Sequence, residues 1–250
     1  MKKFGLLILA AAYFAGCSGS VDTTVLTSQE HYNYAFELFT DEDYQDAIRE
    51  FQSILLQYPG SAVNDDAQYH LGLTYFNREE YLLAAYEFSK LIRDIPASTY
   101  VPEAQYMLAE SYYQLSPNYQ LDQAYTKKAI QEFQAFLDFF PANPKVEEAE
   151  QKIQQLNEKL ARKEFGSARI YEKMDYTNAA IKYYQNVAET YHDTPFAADA
   201  LYRKIQLLIS KNKIPEALTD INTYLLKYTD NSNYKEVLNL KGELIGDTNE

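Results

Sequence analysis

The stretch Asp43–Pro59, with the sequence DYQDAIREFQSILLQYP, decides the fold of this chain. Its apolar residues recur three and four positions apart, which predicts an amphipathic helix that ends near Pro59. The same pattern returns 37 residues later, so the chain is built from a repeated unit. The recurring positions are Tyr44, Ala47, Phe51 and Pro59 in the first copy and Tyr81, Ala84, Phe88 and Pro96 in the second.

The segment before the second copy completes a pair of helices. Leu71-Gly72-x-x-Tyr75 is typical of the first helix of a tetratricopeptide repeat (TPR), and Ala84 and Phe88 are typical of its second helix. Glycine is unfavourable inside a helix by about 1 kcal/mol, so we expect Gly72 where two helices cross closely. The sequence therefore predicts an all-α fold, an α-solenoid of five TPR-like helix pairs in a curved superhelix.

The spacing of the repeats divides the chain into segments. TPR-like repeats 1–3 are predicted in residues 28–145, with an insertion at 115–126 between the two helices of repeat three. A long charged helix, about Val146–Tyr171, links to the next repeats, so that 146–232 holds the linking helix and repeats 4 and 5. Residues 233–250 are predicted to form a C-terminal helix and tail. Because a long loop inside a compact repeat is commonly functional, the insertion is a candidate binding element.

The N-terminus has the features of an export signal. Two lysines precede an apolar stretch that is too short to span a bilayer and that ends in small residues before Cys17. This cysteine, the only one in the chain, resembles the bacterial lipobox cysteine, which is acylated after the preceding peptide is removed. We therefore predict a lipoprotein signal peptide at 1–16 and a flexible tether at 17–27 that begins with lipidated Cys17. An ordinary signal peptide with an incidental cysteine is the alternative.

Composition narrows the classes of function. The formal net charge of −13 disfavours contact with phosphate backbones, so we predict no nucleic-acid partner. The 3 histidines lie far apart in the sequence, and the motifs of nucleophilic enzymes and of phosphate-binding loops are absent from it. We therefore predict a protein that is not an enzyme and that needs neither a metal nor a cofactor.

A second stripe on the first helix of each repeat is rich in aromatic residues. One interpretation is that these rings pack between neighbouring repeats. The other is that they line a concave groove for an extended or amphipathic peptide, which predicts that Tyr32, Tyr69 and Tyr106 are each at least partly exposed. The groove candidates are Tyr32, Phe39, Tyr69, Phe76, Tyr106 and Tyr113.

The chain resembles the BamD family of outer-membrane lipoproteins over nearly all of its predicted mature length. The resemblance rests on the Cys17 lipobox, on the five TPR-like pairs and on residues 122–141 of repeat three, DQAYTKKAIQEFQAFLDFFP. The stretch from Lys159 to Tyr176 is similar to the linking helix and fourth repeat of that family. The resemblance implies a non-catalytic component of the β-barrel assembly machinery (the BAM complex), lipid-anchored at the periplasmic face of the outer membrane.

The resemblance also implies partners for the two ends of the solenoid. The C-terminal repeats would hold the POTRA domains of a BamA-like barrel protein, and the N-terminal repeats would receive unfolded outer-membrane β-barrel substrates or other lipoprotein subunits. In the family a basic residue on the second helix of repeat four faces BamA, and either Lys182 or Tyr183 stands at that position here. The alternative is a TPR lipoprotein that scaffolds another periplasmic complex, in cell division or in peptidoglycan metabolism.

Overall fold

The structure is a computed structural model that describes residues 22–247. Within these residues the chain forms eleven α-helices and one 3₁₀ turn at Thr23–Val25, with no strand. The predicted signal peptide 1–16, Cys17 and the end of the predicted tail, 248–250, lie outside the described residues. The helices are α1 (Ser28–Thr40), α2 (Tyr44–Gln57), α3 (Asn64–Asn77), α4 (Tyr81–Asp94), α5 (Val101–Gln114), α6 (Ala124–Phe139), α7 (Val146–Lys173), α8 (Thr177–Thr190), α9 (Phe196–Ser210), α10 (Ile214–Lys227) and α11 (Tyr234–Asp247).

Each helix packs against the helix before it and the helix after it, so the chain forms a stack of helix pairs. The pairs are α1 with α2, α3 with α4, α5 with α6, α7 with α8 and α9 with α10, and α11 packs on the last of them. First helices of adjoining repeats also touch, α1 against α3 and α7 against α9. This architecture confirms the predicted α-solenoid of five TPR-like helix pairs.

The repeated alanines and phenylalanines form the interior of each pair. Ala47 and Phe51 of α2 are completely buried, as are Ala84 and Phe88 of α4. Gly72 of α3 packs directly on the Phe88 ring, and a β-carbon at residue 72 would lie 2.6 Å from a ring carbon. This contact confirms that Gly72 marks a close crossing of two helices, because no larger side chain fits without displacing the ring.

Four of the five pairs share one kind of turn between their two helices. In repeat one, Glu42 has a φ of 63°, and the Asp43 N–H donates to the Leu38 carbonyl at 2.9 Å, which is a Schellman closure. Asp43 stands at the N-cap position of α2, but its side chain makes no capping hydrogen bond. The equivalent residues with positive φ are Glu42, Glu79, Asp175 and Asn212.

Repeat three differs because the insertion replaces this turn. α5 ends at Gln114 and α6 begins at Ala124, so most of the predicted insertion is the connection between them. The linking helix and the first helix of repeat four are one continuous helix, α7, with 28 residues and a length of roughly 42 Å. α7 packs on α6 through its N-terminal part and on α8 and α9 beyond it, so it belongs to both halves of the stack.

The described part of the predicted tether is held against repeat one. The Tyr58 hydroxyl donates a hydrogen bond to the Leu26 carbonyl at 2.8 Å, and Thr27 forms a capping box with Glu30 at the start of α1. Residues 22–27 are therefore part of the folded domain, and residues 17–21 of the predicted tether lie outside the described residues.

Candidate functional site

The structure separates the six groove candidates into buried and accessible side chains. Tyr69 and Tyr106 are only 8% and 4% exposed. The groove interpretation predicts that Tyr32, Tyr69 and Tyr106 are each at least partly exposed. This prediction is wrong for Tyr69 and Tyr106 and correct for Tyr32. The candidates that remain partly exposed are Tyr32, Phe39, Phe76 and Tyr113.

Neighbouring aromatic rings bury Tyr69 and Tyr106. The Tyr69 ring stacks on Tyr100, from the connection before α5, with their centroids 4.5 Å apart. The Tyr106 ring lies 5.7 Å from the Phe133 ring and 5.4 Å from the Phe136 ring, edge to face in both cases. Burial raises the pKa of both tyrosine hydroxyls. The interpretation that the rings serve packing within the stack holds for these two residues.

An aromatic cluster on the first helices of repeats one and two remains accessible. We define the aromatic cluster as Tyr32, Phe36 and Phe39 of α1 with His70 of α3. The His70 ring meets Phe36 and Phe39 in edge-to-face contacts, with centroid distances of 5.1 and 5.7 Å. Phe36 is 37% exposed although its ring is held by these neighbours. The cluster thus presents a rigid aromatic surface to solvent, which suits recognition of an apolar side chain.

His70 is fixed inside this cluster by two hydrogen-bond partners. Its Nδ1 atom lies 2.8 Å from the Asp66 carbonyl oxygen and 3.2 Å from the Tyr32 hydroxyl. Since a carbonyl only accepts, Nδ1 carries the proton. Burial lowers the pKa of His70, which favours the neutral ring. Sequence reasoning missed Phe36 and His70 as site residues, although Phe36 lies one helical turn from Tyr32 on the same stripe.

The aromatic stripe of repeat three is covered by α7. Lys152 of α7 pairs with Glu110 and lies 5.4 and 5.2 Å from the ring centroids of Tyr106 and Tyr113. The Tyr113 hydroxyl donates to Gln155 at 2.7 Å. Burial disfavours the charge of Lys152, but the hydrogen bonds to Glu110 and Tyr106 outweigh it and raise the pKa of Lys152. The partly exposed candidates other than Tyr113 are therefore Tyr32, Phe39 and Phe76, which lie in repeats one and two.

Basic residues of α7 hold the repeat-three insertion in place. Lys159 Nζ donates to Ser116 Oγ at 2.7 Å, and Lys163 Nζ donates to the Leu121 carbonyl at 2.5 Å. Burial lowers the pKa of Lys159. The insertion is therefore held against α7 by hydrogen bonds and forms a defined part of the molecular surface.

An open groove of about 500 Å³ lies between the insertion and α7. Arg162 and Tyr119 both line this groove. The guanidinium of Arg162 lies over the Tyr119 ring, 4.3 Å from the ring centroid. Beyond this groove, Leu121 of the insertion and Ile170 of α7 are both exposed. This surface combines apolar and cationic groups on an otherwise acidic chain, so it is a second place where a partner could bind.

The two predicted partner contacts on α8 have different surroundings. The Lys182 side chain is exposed, whereas Tyr183 is half-buried on Tyr171 of α7, with nearly parallel rings 5.1 Å apart. The Tyr171 hydroxyl raises the pKa of Tyr183. Met174 and Tyr176, around the turn between α7 and α8, are exposed as well. Lys182 is therefore the candidate that is accessible to a partner.

The histidines do not converge on one site. His31 is buried and bonded to Glu50 at 2.8 Å, and His192 is exposed beside Asp193. Among residues 22–247 no group of acidic and histidine side chains could hold a metal ion. Over the same residues, no helix combines the length and apolar character that crossing a bilayer requires. What these residues offer is a set of binding surfaces on a rigid stack.

Such a stack, with an accessible aromatic cluster at one end, defines a helical-repeat scaffold protein. The chain belongs to the YfiO family of outer membrane lipoproteins, whose sequence model matches residues 25–210. Among its relatives are the outer membrane protein assembly factors BamD of Pasteurella multocida, 26% identical over 211 residues, and of Rickettsia prowazekii, 27% identical over 207 residues. The first match covers 80% of this chain and 81% of the relative, and the second covers 82% of each. These matches confirm the resemblance to the BamD family.

Among solved structures, a TPR repeats protein from Bacteroides fragilis is similar with a TM-score of 0.44 and 14% identity, over 88% of this chain and 98% of that one.

Proposed function

We propose that this chain is an outer-membrane protein assembly factor, a non-catalytic member of the BAM complex that assists the insertion of β-barrel proteins. The observation that carries the proposal is the family match over residues 25–210, together with two relatives whose names state this role. The alternative of a scaffold for cell division or peptidoglycan metabolism is not favoured, since both relatives are assembly factors.

The proposed attachment to the membrane is a lipid on Cys17, formed after the signal peptide 1–16 is removed. The family description as outer membrane lipoproteins supports it, as does the position of the only cysteine in the chain. Two or more acyl chains give stable anchoring where one chain gives marginal binding, because each buried CH₂ contributes about 0.8 kcal/mol. The solenoid then stands on the periplasmic face of the outer membrane. Cys17→Ser is expected to release the chain from the membrane fraction.

The proposed partners bind at the two ends of the solenoid. The C-terminal repeats hold the POTRA domains of a BamA-like barrel protein, and the exposure of Lys182 supports a contact there. Tyr183 contributes by packing on α7 beside it. The N-terminal repeats receive unfolded outer-membrane β-barrel substrates on the aromatic cluster, with Phe76 of α3 as a further accessible contact.

Affinity purification from detergent-solubilised envelopes tests this function. A tagged chain is expected to recover a BamA-like barrel protein, and Lys182→Glu is expected to reduce that recovery. Lys127→Glu, at an exposed lysine on α6, is the matched control and should leave the recovery unchanged. Recovery of cell-division or peptidoglycan proteins in place of the barrel protein would support the alternative and contradict the proposal.

A further inference from the structure

We propose that the anchored end of repeat one binds the bilayer surface directly, with Val25 and Leu56 inserted into the interfacial layer. The two side chains are 77% and 82% exposed, although both are apolar. They lie at the same end of the first helix pair, because Val25 precedes α1 and Leu56 is in the last turn of α2. The hydrogen bond from Tyr58 to the Leu26 carbonyl ties these two segments together. We call this surface the anchor-side edge.

The charge distribution of the anchor-side edge is unusual for this acidic chain. Residues 23–29 contain no charged side chain, and 51–64 is the longest charge-free run between residues 22 and 247. A protein of net charge −13 is repelled by an anionic membrane over most of its surface, but this edge contains two uncharged runs, of which the first is flanked only by Asp22 and Glu30. It therefore has the composition of a surface that can approach lipid headgroups.

The carboxylates beside the edge accept hydrogen bonds from groups of the protein. Asp22, three residues before Val25, is exposed and accepts from the Thr24 hydroxyl at 2.6 Å. Glu30 accepts from the Thr27 N–H at 2.9 Å within the capping box. On α3, Asp65 accepts from the Ser98 hydroxyl at 2.8 Å and Asp66 from the Tyr100 hydroxyl at 2.7 Å. These hydrogen bonds offset part of the desolvation penalty of bringing the edge to the bilayer.

The number of residues between Cys17 and Val25 determines how far the anchor-side edge can lie from the bilayer, and therefore which surface covers it. This step rests on the proposed lipidation of Cys17. An extended chain spans at most about 3.5 Å per residue, so Val25 lies within roughly 28 Å of the acylated cysteine. A surface confined so close to the bilayer meets it at a high effective concentration, and exposed apolar side chains then partition into the interface. The occupant of the edge is accordingly the lipid surface, and the contact orients the solenoid on the membrane.

The internal repeats supply matched positions for a test. The position of Leu56 in repeat one is occupied by Arg93 in repeat two and by Leu226 in repeat five. Leu226 is 80% exposed at the end of α10, so it has the same chemistry and exposure as Leu56 at the far end of the stack. Because the thiol of Cys17 is occupied by lipid in the mature protein, Leu56→Cys or Leu226→Cys provides one reactive thiol each.

The experiment labels each cysteine variant of the full lipidated protein with nitrobenzoxadiazole and adds vesicles of phosphatidylethanolamine and phosphatidylglycerol. We expect the label at position 56 to shift its emission to the blue, to brighten several-fold and to be quenched by doxyl-labelled phospholipid. The label at position 226 should show none of these changes. Arg93→Cys serves as the neighbouring polar control and should also remain unchanged.

Flotation of the same samples separates the two levels of the proposal. Protein that fails to float with the vesicles would overturn lipid anchoring at Cys17 and, with it, the edge contact. Protein that floats while the labels at 56 and 226 respond alike would overturn only the edge contact. Flotation with a response confined to position 56 supports both.

Discussion

The ring of Phe88 occupies the space where a β-carbon on Gly72 would stand, 2.6 Å from the nearest ring carbon. Gly72→Ala must displace a completely buried ring, so we expect it to destabilise the chain by about 1–3 kcal/mol despite the better helix propensity of alanine. Urea unfolding monitored by circular dichroism measures the change. The matched control is Gly166→Ala in α7, where nothing lies near the added carbon, and it should stabilise the chain by up to about 1 kcal/mol. Equal effects of the two substitutions would contradict the close crossing.

The ion pair of Lys152 with Glu110 connects α7 to α5. The two side chains are mostly buried and surrounded by the Tyr106 and Tyr113 rings, so Lys152→Met leaves a carboxylate without its partner in a poorly solvated place. We expect a loss of about 2–3 kcal/mol in urea unfolding.

Lys145→Met provides the comparison for this pair. Lys145, the residue before α7, pairs with Glu103 of α5, but both side chains are about a third exposed. Its loss should be below about 1 kcal/mol, because solvent screens the pair. A larger effect for Lys145→Met than for Lys152→Met would show that burial does not set the strength of these contacts.

His70 makes stability depend on pH in a defined direction. Burial lowers its pKa in the folded chain, so the unfolded chain binds the proton more readily. The stability that His70 contributes is present above about pH 6.5, its unfolded value, and is lost as the pH falls through the lower folded pKa. We expect His70→Phe to reduce the loss of urea resistance between about pH 8 and about pH 5.

Tyr32→Phe is the control for the histidine. It removes the hydroxyl that contacts Nδ1 at 3.2 Å but keeps the ring that excludes water, and Asp66 still accepts from Nδ1. The pH dependence should therefore resemble that of the natural chain. A pH dependence that is unchanged in His70→Phe would assign the effect to carboxylates elsewhere.

The aromatic cluster predicts how a substrate peptide is bound. Phe36 is its most accessible ring, so Phe36→Ser should weaken the binding of an extended peptide that ends in an aromatic residue. We expect roughly tenfold weaker binding in fluorescence anisotropy, which corresponds to about 1.4 kcal/mol. Leu82→Ser, at an exposed apolar residue on α4, should leave the affinity unchanged. Equal losses for both variants would point to unspecific apolar contact.

The sequence predicted the features that depend on short-range pattern. The repeat of Ala47 and Phe51, the crossing at Gly72 and the place of the insertion all follow from spacing along the chain. Burial of Tyr69 did not follow, because it depends on Tyr100 in the connection before α5, whose path is set by tertiary packing. The exposure of an aromatic side chain depends on which residues surround it in the folded chain. The spacing of residues along one helix does not reveal these neighbours.

The same limit applies to contacts between distant elements. Lys152 reaches Glu110 across 42 positions of sequence, and the two come together because α6 packs on both α5 and α7. Glu42 adopts a left-handed backbone conformation that closes the preceding helix, and its residue type does not indicate this. Both outcomes depend on backbone geometry that residue type alone does not determine.

The continuity of α7 has a mechanical consequence. The insertion is attached to this helix by Lys159 and Lys163, and the turn that leads to Lys182 begins where the helix ends. A sharp kink between Lys163 and the end of α7 would have to break hydrogen bonds inside the helix, so the helix resists independent movement of these two points. We therefore expect a partner that displaces repeat four to move the insertion of repeat three with it, because a continuous helix and no loop connects the two.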